Sequence, residues 1–401
     1  MFLVHFRFTT AGESHGPALV AIVEGLPAGL PVAAAFVDAQ LARRMQGYGR
    51  GARMQIEQDR IEWLGGVRSG ETLGSPVAMR IANRDWANWK DVMDPEGVPG
   101  EHRRRQVTRP RPGHADLVGV LKYDRTDARD ILERASARET AARVAAGALA
   151  RRLLEEFGVG IGSHVVSLGG IRAERPGALP SPLNDAADRS PLRVLDADAE
   201  QAMLRRIDEA KAAGDTLGGE VEVVAEGLVP GLGSHVSWDR KLDGRLAALL
   251  MSIPAVKGVE IGLGFEAARR PGSAVHDPIL PEPVRGASVR AGYGRLTNHA
   301  GGLEGGMSTG EPLVVRVAMK PISTLMTALQ TVDLGTGKAA AAQSERSDVT
   351  AVPAMGVIAE AMVAIVLADA MLEKFGGDSL GELRRNVEGY VAALRVRQAG
   401  A

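Results

Sequence analysis

One stretch of the chain decides the expected fold: RPRPGHADLVGVLKYDRTDARDILERASARETAARVAAGALARRLLEEF, residues 109–157. Its first part is a rigid loop, because two prolines fix their own φ and hold the residues before them extended. The remainder predicts one long helix that Asp127 or Asp130 caps and that ends just before Gly158. One face of this helix is small and aliphatic, which allows another element to approach closely. The residues of that face are Ala135, Ala142, Ala145, Ala146, Leu149 and Leu153.

Three arginines, Arg134, Arg138 and Arg143, lie among the alanines of the same helix. Residues four apart share a helix face, and two adjacent cations cost roughly 0.2–0.5 kcal/mol unless an anion lies between them. The pattern therefore has two interpretations. Either the face is solvated and Glu133 and Glu139 pair with the arginines, or it forms an anion site with a histidine beside it.

The composition limits the classes of function. The chain has 401 residues, with 48 basic against 49 acidic side chains, so no general attraction to polyanions is expected. Almost all of the basic residues are arginines, which suit bidentate capture of phosphate and carboxylate. The sequence contains no cysteine, which excludes disulfides, thiolate catalysis and thiolate metal sites.

The first ten residues and the most apolar run of the chain together predict a soluble cytoplasmic protein. The first ten residues lack the basic and apolar regions of a signal peptide. The most apolar run, residues 351–372, contains a proline together with Glu360 and Asp369, and this predicts a buried helix rather than a membrane span.

Two polar turns stand out before residue 60. GESHG, at 12–16, presents His15 between glycines, and this histidine is either structural or catalytic. GYGRGARM, at 47–54, places Arg50 and Arg53 among three glycines, which let a backbone approach a ligand closely. A mobile, solvated basic loop has the same composition, so both interpretations remain open.

Two further stretches lie after residue 297. Residues 298–324 hold five glycines between positions 301 and 310, typical either of a loop that wraps N–H groups around a planar or phosphorylated ligand or of a flexible hairpin. Asp348 precedes the long apolar helix, where an aspartate is usually a cap.

Periodicity predicts the remaining elements, and residues 173–198 are expected to form a surface excursion. Strands are predicted within 18–32, 159–171, 220–228, 254–265 and 313–320, and helices over 36–46, 198–213 and 241–253. Length alone suggests two or three domains, whereas the scatter of arginine and glycine clusters favours one composite site in one domain.

Taken together, seven motifs resemble those of the chorismate synthase family, in family order and over nearly the whole chain. They are GESHG (12–16), RRMQGYGRGARM (43–54), RPRPGHAD (109–116), RASARETAAR (134–143), NHAGGLEGGMSTGEP (298–312), KPIST (320–324) and RSDVTAVPA (346–354). The resemblance implies a single α+β domain over residues 1–401, a β-α-β sandwich with helices between antiparallel sheets, assembled as a homotetramer. It therefore replaces the prediction of two or three domains that length alone suggests.

The resemblance also implies a reaction. Family members release phosphate from 5-enolpyruvylshikimate 3-phosphate in an anti 1,4-elimination that gives chorismate, the last step of the shikimate pathway. Reduced FMN (FMNH2) is required without net redox change, and NADPH is expected only as an indirect reductant. No metal ion, nucleic acid or membrane partner is implied.

By motif match, the resemblance assigns three sets of residues. The catalytic candidates are His15, which protonates the reduced flavin, His114, which protonates the departing phosphate, and Asp348, which assists deprotonation near the flavin. The substrate-binding candidates are Arg44, Arg50, Arg53, Arg111, Arg138 and Arg346. The cofactor-binding candidates are Arg134, Ala135, Ser136, Pro254, Ala255, Gly305, Lys320, Pro321, Ile322, Ser323, Thr324 and Arg346, with Arg44 and Arg50 matching positions assigned to NADP in bifunctional relatives.

Two other classes of function remain as alternatives. A binder of RNA or another polyanion would use the many arginines, but the balanced charge and the lack of an aromatic and basic module argue against it. An ordinary flavin oxidoreductase would consume NADPH without releasing phosphate.

Overall fold

The computed structural model describes residues 5–51, 58–97, 105–281, 293–343 and 348–398. The helices in these ranges are α1 (Ala34–Met45), α2 (Asp116–Tyr123), α3 (Arg129–Ala135), α4 (Thr140–Glu155), α5 (Leu183–Ala187), α6 (Ala197–Ala213), α7 (Leu242–Met251), α8 (Val352–Phe375) and α9 (Leu380–Gln398). Short 3-10 helices span Arg84–Asn88, Ala137–Glu139, Trp238–Arg240, Gly264–Arg269 and Gly272–Ala274.

The strands fall into two main sheets and several short ladders. They are β1 (Arg7–Gly12), β2 (Ala18–Glu24), β3 (Ile61–Gly65), β4 (Val67–Arg68), β5 (Glu71–Thr72), β6 (Val77–Ala82), β7 (Gly160–Leu168), β8 (Ile171–Arg172), β9 (Gly219–Glu226), β10 (Val256–Ile261), β11 (Ile279–Leu280), β12 (Gly294–Arg295), β13 (Leu303–Glu304), β14 (Met307–Ser308), β15 (Leu313–Met319), β16 (Gln330–Val332) and β17 (Ala339–Ala341). The first sheet has the order β1-β2-β6-β3 and the second β10-β15-β9-β7-β8, with antiparallel pairing throughout both.

A layer of helices separates the two sheets. Helix α4 packs on β2 of the first sheet, and α8 packs on β7 and β9 of the second. The two helices contact each other so closely that a Cβ on Gly147 would lie 2.4 Å from the Cβ of Ala361. One core cluster includes Leu19 and Ile81 from the first sheet and Val221 from the second. This arrangement confirms the predicted α+β sandwich with helices between antiparallel sheets.

Helix α8 has the length and hydropathy of a membrane span, but every residue of its most apolar window is buried inside the protein. It is also the helix that carries Glu360 and Asp369, both of them buried. The interpretation of the apolar run as a buried core helix is therefore confirmed.

The prediction of one long helix after residue 114 is wrong. The segment forms α2, α3, a 3-10 turn and α4, with a break at Ser136, where the backbone is extended (φ −65°, ψ 144°). The Ser136 hydroxyl accepts a hydrogen bond from the Arg138 N–H, a local bond that competes with the helical ladder. Of the two predicted caps, Asp127 accepts from the Arg129 N–H at the start of α3, whereas Asp130 pairs with Arg125.

The small face of this segment packs as predicted. Its members Ala142, Ala145, Ala146, Leu149 and Leu153 are fully buried on α4, and Ala135 is half-buried at the end of α3.

Part of the predicted surface excursion at 173–198 is buried instead. Arg193 reaches into the interior and donates to Glu360, which also accepts a bidentate pair of hydrogen bonds from Arg43 at 2.9 and 3.0 Å. Arg151 donates to the same carboxylate. Three cations from distant parts of the chain therefore share one anion, and no pattern local to 173–198 indicates this.

Candidate active site

The first cluster of the site surrounds His15, in the turn between β1 and β2. The Glu133 carboxylate on α3 lies 2.9 Å from the His15 Nδ1 and also accepts from the His15 backbone N–H at 2.9 Å. The Ser14 N–H donates to the Glu133 carbonyl at 2.9 Å. Arg129 donates to the same carboxylate at 2.8 Å, so Glu133 holds a histidine, a turn and an arginine together.

An aromatic ring covers one face of His15. The Trp89 ring stacks on the imidazole with centroids 3.9 Å apart and planes inclined by 27°. The guanidinium groups of Arg105 and Arg129 lie 4.5 and 5.1 Å from the Trp89 ring centroid, within the range of cation–π contacts. The indole N–H donates to Asp85 at 2.9 Å, which fixes the ring.

The second cluster surrounds His114, in the loop before α2. The Asp116 carboxylate lies 2.5 Å from the His114 Nδ1 and accepts from the Arg111 Nε at 2.8 Å. Burial opposes ionisation of Asp116, but hydrogen bonds from His114 and Arg111 hold the pKa of this carboxyl well below its usual range. Arg111 also donates to the Thr324 hydroxyl at 2.9 Å, which connects the cluster to the KPIST segment.

The third cluster is a row of buried charges between the two sheets and the helix break. Arg138 donates to Asp59 at 2.5 Å and to Asn83 at 3.0 Å, and Arg44 lies 3.5 Å from the other Asp59 oxygen. Burial lowers the pKa of Arg44 to about 10 against the attraction of Asp59, and the charges of Arg50 and Arg138 act in the same direction as burial. Within the described part of the chain, the Arg44 Nη1 makes no hydrogen bond although it is buried.

The glycine-rich loop at 47–51 borders a cavity of about 480 Å³. Arg50 lies 3.2 Å from Asp348, and the Gly51 N–H donates to the same carboxylate at 2.6 Å. Asp348 is therefore not the cap of α8, because Ala351 occupies the N-cap position without a side-chain hydrogen bond. Thr324 also lines the cavity, and the hydrogen bond that it accepts from Arg111 connects the cavity wall to the second cluster.

The predicted cofactor residues divide into two groups. Lys320 donates from its Nζ to the Gly113 carbonyl at 2.5 Å and from its backbone to the Ala255 carbonyl at 3.0 Å, beside His114. Gly305, by contrast, lies at the tip of the β13–β14 hairpin next to His235 and Met307.

Other members of that set lie around these contacts. Ser136 donates to the Ser14 hydroxyl at 3.2 Å, and the Ile322 carbonyl accepts from Thr216. Pro254 precedes Ala255, which has a positive φ of 69°. The remaining members Ala135, Pro321 and Ser323 flank these residues in sequence, while Arg53 and Arg346 lie outside the described residues.

The interpretation of the arginine face as solvated is only partly right, whereas its interpretation as an anion site stays a prediction. Glu139 does pair with Arg143 at 2.9 Å, as the solvated face predicts. Glu133, however, is buried against His15, and Arg134 donates to Thr10 on β1 instead of facing Arg138. The helix break therefore separates the two arginines that a continuous helix would place together.

Several residues of the site were not among the predicted set, and Asp59, Trp89, Asp116 and Glu133 are the main ones. Asp116 follows His114 by two residues inside a quoted motif, and its proximity is the signal that could have indicated it. Asp59 and Trp89 carry no such signal, because their partners lie far away in the sequence.

Comparison with known proteins agrees with this arrangement. The sequence profile of the chorismate synthase family matches residues 6–372. A chorismate synthase of Trichlorobacter lovleyi is 61% identical over 394 residues, 97% of this chain and 99% of that protein. One of Salinispora tropica is 58% identical over 398 residues, 98% and 100% of the two chains. A crystal structure of chorismate synthase superposes with a TM-score of 0.77 at 45% identity and covers 98% of both chains.

These matches define the class of protein first: an enzyme of the shikimate pathway, a lyase that acts on phosphates. More particularly, the chain belongs to the chorismate synthase family.

Proposed function

We propose that the chain converts 5-enolpyruvylshikimate 3-phosphate into chorismate and phosphate by an anti 1,4-elimination that depends on reduced FMN. The observation that carries this proposal is a cavity lined by Arg50, Asp348 and Thr324, whose Thr324 hydroxyl accepts a hydrogen bond from the buried Arg111 of the His114 cluster. A substrate with a phosphate and two carboxylates needs several guanidinium groups, since their forked donors match both kinds of anion.

The arginines differ in what they can offer to a substrate. Arg44 has a buried Nη1 without a hydrogen bond in the described part of the chain, which supports a role in anion binding. Arg111 and Arg138 are held rigidly by Asp116 and Asp59, which pre-organises the orientation of their guanidinium groups. Arg50 completes this proposed set at the cavity, with Arg53 and Arg346 as its further members.

The residues present fit a flavin. The cavity volume of about 480 Å³ lies within the range of roughly 300–1,000 Å³ that is typical of small-molecule sites. Its glycines allow a ligand to approach the backbone closely, Thr324 in its lining would supply a hydroxyl, and Lys320 of the adjoining KPIST segment would supply a cation for a phosphate or ring oxygen. The proposed FMN contacts are those of the cofactor set given above. When bound, reduced FMN would supply an electron transiently, which eases the departure of phosphate.

The two histidines are suited to proton transfer by the same geometry. In each ring the Nδ1 faces a buried carboxylate, at 2.9 Å for His15 and 2.5 Å for His114. Because the Nδ1 of each ring is engaged by a carboxylate, we assign proton exchange with a reactant to the Nε2. We assign the proton for the departing phosphate to His114 and the protonation of the flavin to His15. Asp348, in the cavity lining, would assist deprotonation.

The test is anaerobic turnover of 5-enolpyruvylshikimate 3-phosphate with chemically reduced FMN, following phosphate and chorismate together. We expect equal release of both products, and no release with oxidised FMN. NADPH consumption without phosphate release would instead favour the flavin oxidoreductase. Salt-dependent RNA binding without flavin binding would favour the polyanion binder.

The homotetramer, the single domain and the cytoplasmic location stay predictions. Large apolar side chains that are exposed in the isolated chain support assembly, among them Val236, Trp238 and Phe265, each more than 70% exposed. The molar mass in solution tests this, because a monomer at micromolar concentration would contradict the tetramer.

A further inference from the structure

The buried carboxylate of Glu133 is the group that joins the His15 turn to α3. Its oxygens face the His15 Nδ1 at 2.9 and 3.0 Å, accept from the His15 backbone N–H and accept from Arg129. The Glu133 side chain is 1% exposed and that of His15 is 16% exposed. One carboxylate therefore contacts both the backbone and the ring of a single histidine.

Glu133 is ionised at neutral pH. Burial opposes the charge, but the hydrogen bond and positive charge of His15, together with the charge of Arg129, hold the pKa of Glu133 below its usual value. An ionised carboxylate only accepts hydrogen bonds, so the His15 Nδ1 carries a proton and donates it to Glu133.

A stacked ring also limits the motion of the His15 imidazole from one of its faces. Trp89 stacks on it at 3.9 Å, and the indole is itself fixed by its hydrogen bond to Asp85. The Glu133 carboxylate sets the rotation of the ring, and the Trp89 stack sets its tilt. Together they define one orientation for the His15 Nε2.

We propose that Glu133 is a positioning residue for His15, which holds the Nδ1 as a hydrogen-bond donor and fixes the orientation of the ring toward the reacting flavin. The assignment of the flavin as the partner rests on the proposed function. The coupling between Glu133 and His15 is a property of the protein alone and can be measured without turnover. A merely structural Glu133 would hold the turn, but its replacement would leave the pH response of the stacked Trp89 ring unchanged.

The stacked Trp89 provides a direct readout, because an imidazolium against an indole quenches its fluorescence more than a neutral imidazole does. The difference between the wild type and Trp89→Phe isolates the Trp89 signal from the other three tryptophans. Other charged groups face this pair and stay the same in every variant. They are Glu13, Asp85, Arg105, Arg129 and Asp130.

In Glu133→Gln, we expect the pH midpoint of the Trp89 signal to move down by about one pH unit or more, because a facing negative charge is lost. The matched control is Glu222→Gln. Glu222 is a second buried glutamate, which contacts His164 at 3.4 Å and Arg175 at 3.1 Å on the five-stranded sheet. This control should leave the midpoint unchanged.

If the proposed function holds, Glu133→Gln should also lower kcat about tenfold or more and shift the pH profile of kcat by the same amount as the fluorescence. KM for the substrate should change less than about threefold. If the wild type turns over no substrate, the proposed function fails while the fluorescence result still decides the coupling.

An unchanged fluorescence midpoint in folded Glu133→Gln would overturn the proposal, as would a wild type without any Trp89 transition. If Glu133→Gln does not fold, Glu133→Asp replaces it, since it keeps the charge but withdraws the carboxylate from the ring. We then expect a smaller shift in the same direction, and no shift would equally overturn the proposal.

Discussion

The contact between α4 and α8 is tight enough that a single methyl group should disturb it. In Gly147→Ala, the new Cβ would lie 2.4 Å from the Ala361 Cβ, 2.7 Å from its Cα and 2.8 Å from its carbonyl oxygen. Carbon atoms in contact are normally about 3.5–4.0 Å apart, so the helices must separate locally by about 1 Å. Two of the three atoms are backbone, and no rotamer change relieves the overlap.

The expected magnitude follows from two opposing effects. Overpacking a core typically costs about 1–3 kcal/mol, and the higher helix propensity of alanine returns about 1 kcal/mol. Because backbone atoms are involved, we expect the upper part of the first range. The free energy of unfolding should therefore fall by about 1–2 kcal/mol in Gly147→Ala.

The measurement is equilibrium unfolding in urea, followed by far-ultraviolet circular dichroism at one fixed protein concentration, since assembly would couple to stability. The matched control is Gly389→Ala in the interior of α9. There the new Cβ would meet nothing within 4 Å among the described residues, and we expect a gain of about 0.5–1 kcal/mol. Equal gains in both variants would refute the close packing of α4 and α8.

Two further predictions concern Glu360 and His114. The arginines around Glu360 lower its pKa to about 2 against the effect of burial, so its stabilisation is complete above about pH 4.5 and is lost as the pH falls toward 2. Glu360→Gln should therefore lower the free energy of unfolding by about 3 kcal/mol at pH 7 and by much less at pH 3. An equal loss at both pH values, measured by urea unfolding, would contradict this. His114→Ala should lower kcat by about 10²–10⁴-fold with little change in the affinity for FMN. The control His276→Ala, at an exposed histidine, should change neither quantity. A loss of kcat below about tenfold in His114→Ala would refute the role of His114 as the acid.

Local periodicity was sufficient for eight of the elements in the described residues. The strands β2, β7, β9, β10 and β15 and the helices α1, α6 and α7 lie where the sequence predicts them, because their alternation or helical spacing is contained in the segment itself. Periodicity did not predict the order of the strands or the sandwich, since strand pairing depends on residues far apart in the chain. The sandwich was predicted from the resemblance to the family instead.

The contacts that the sequence did not predict share one cause. In each of them the partner residue lies far away in the sequence. The burial of Arg193 depends on Glu360, 167 residues away. Likewise, His15 and Glu133 are 118 residues apart, and Arg138 and Asp59 are 79 apart. The motifs identified His15 and Arg138 but neither Arg193 nor Glu360, and no local pattern joins any of these residues to its partner.

The break at Ser136 connects the fold to the site. In a continuous helix Arg134 and Arg138 would share a face, and both would require an anion or solvent there. The extended backbone at Ser136 instead turns Arg134 toward β1 and Arg138 toward Asp59. It leaves Glu133, on the last turn of α3, beside His15. The same interruption therefore relieves the repulsion between Arg134 and Arg138. It also brings the Glu133 carboxylate to His15 and the Arg138 cation to the row of buried charges. A regular helix of this sequence does not allow this arrangement.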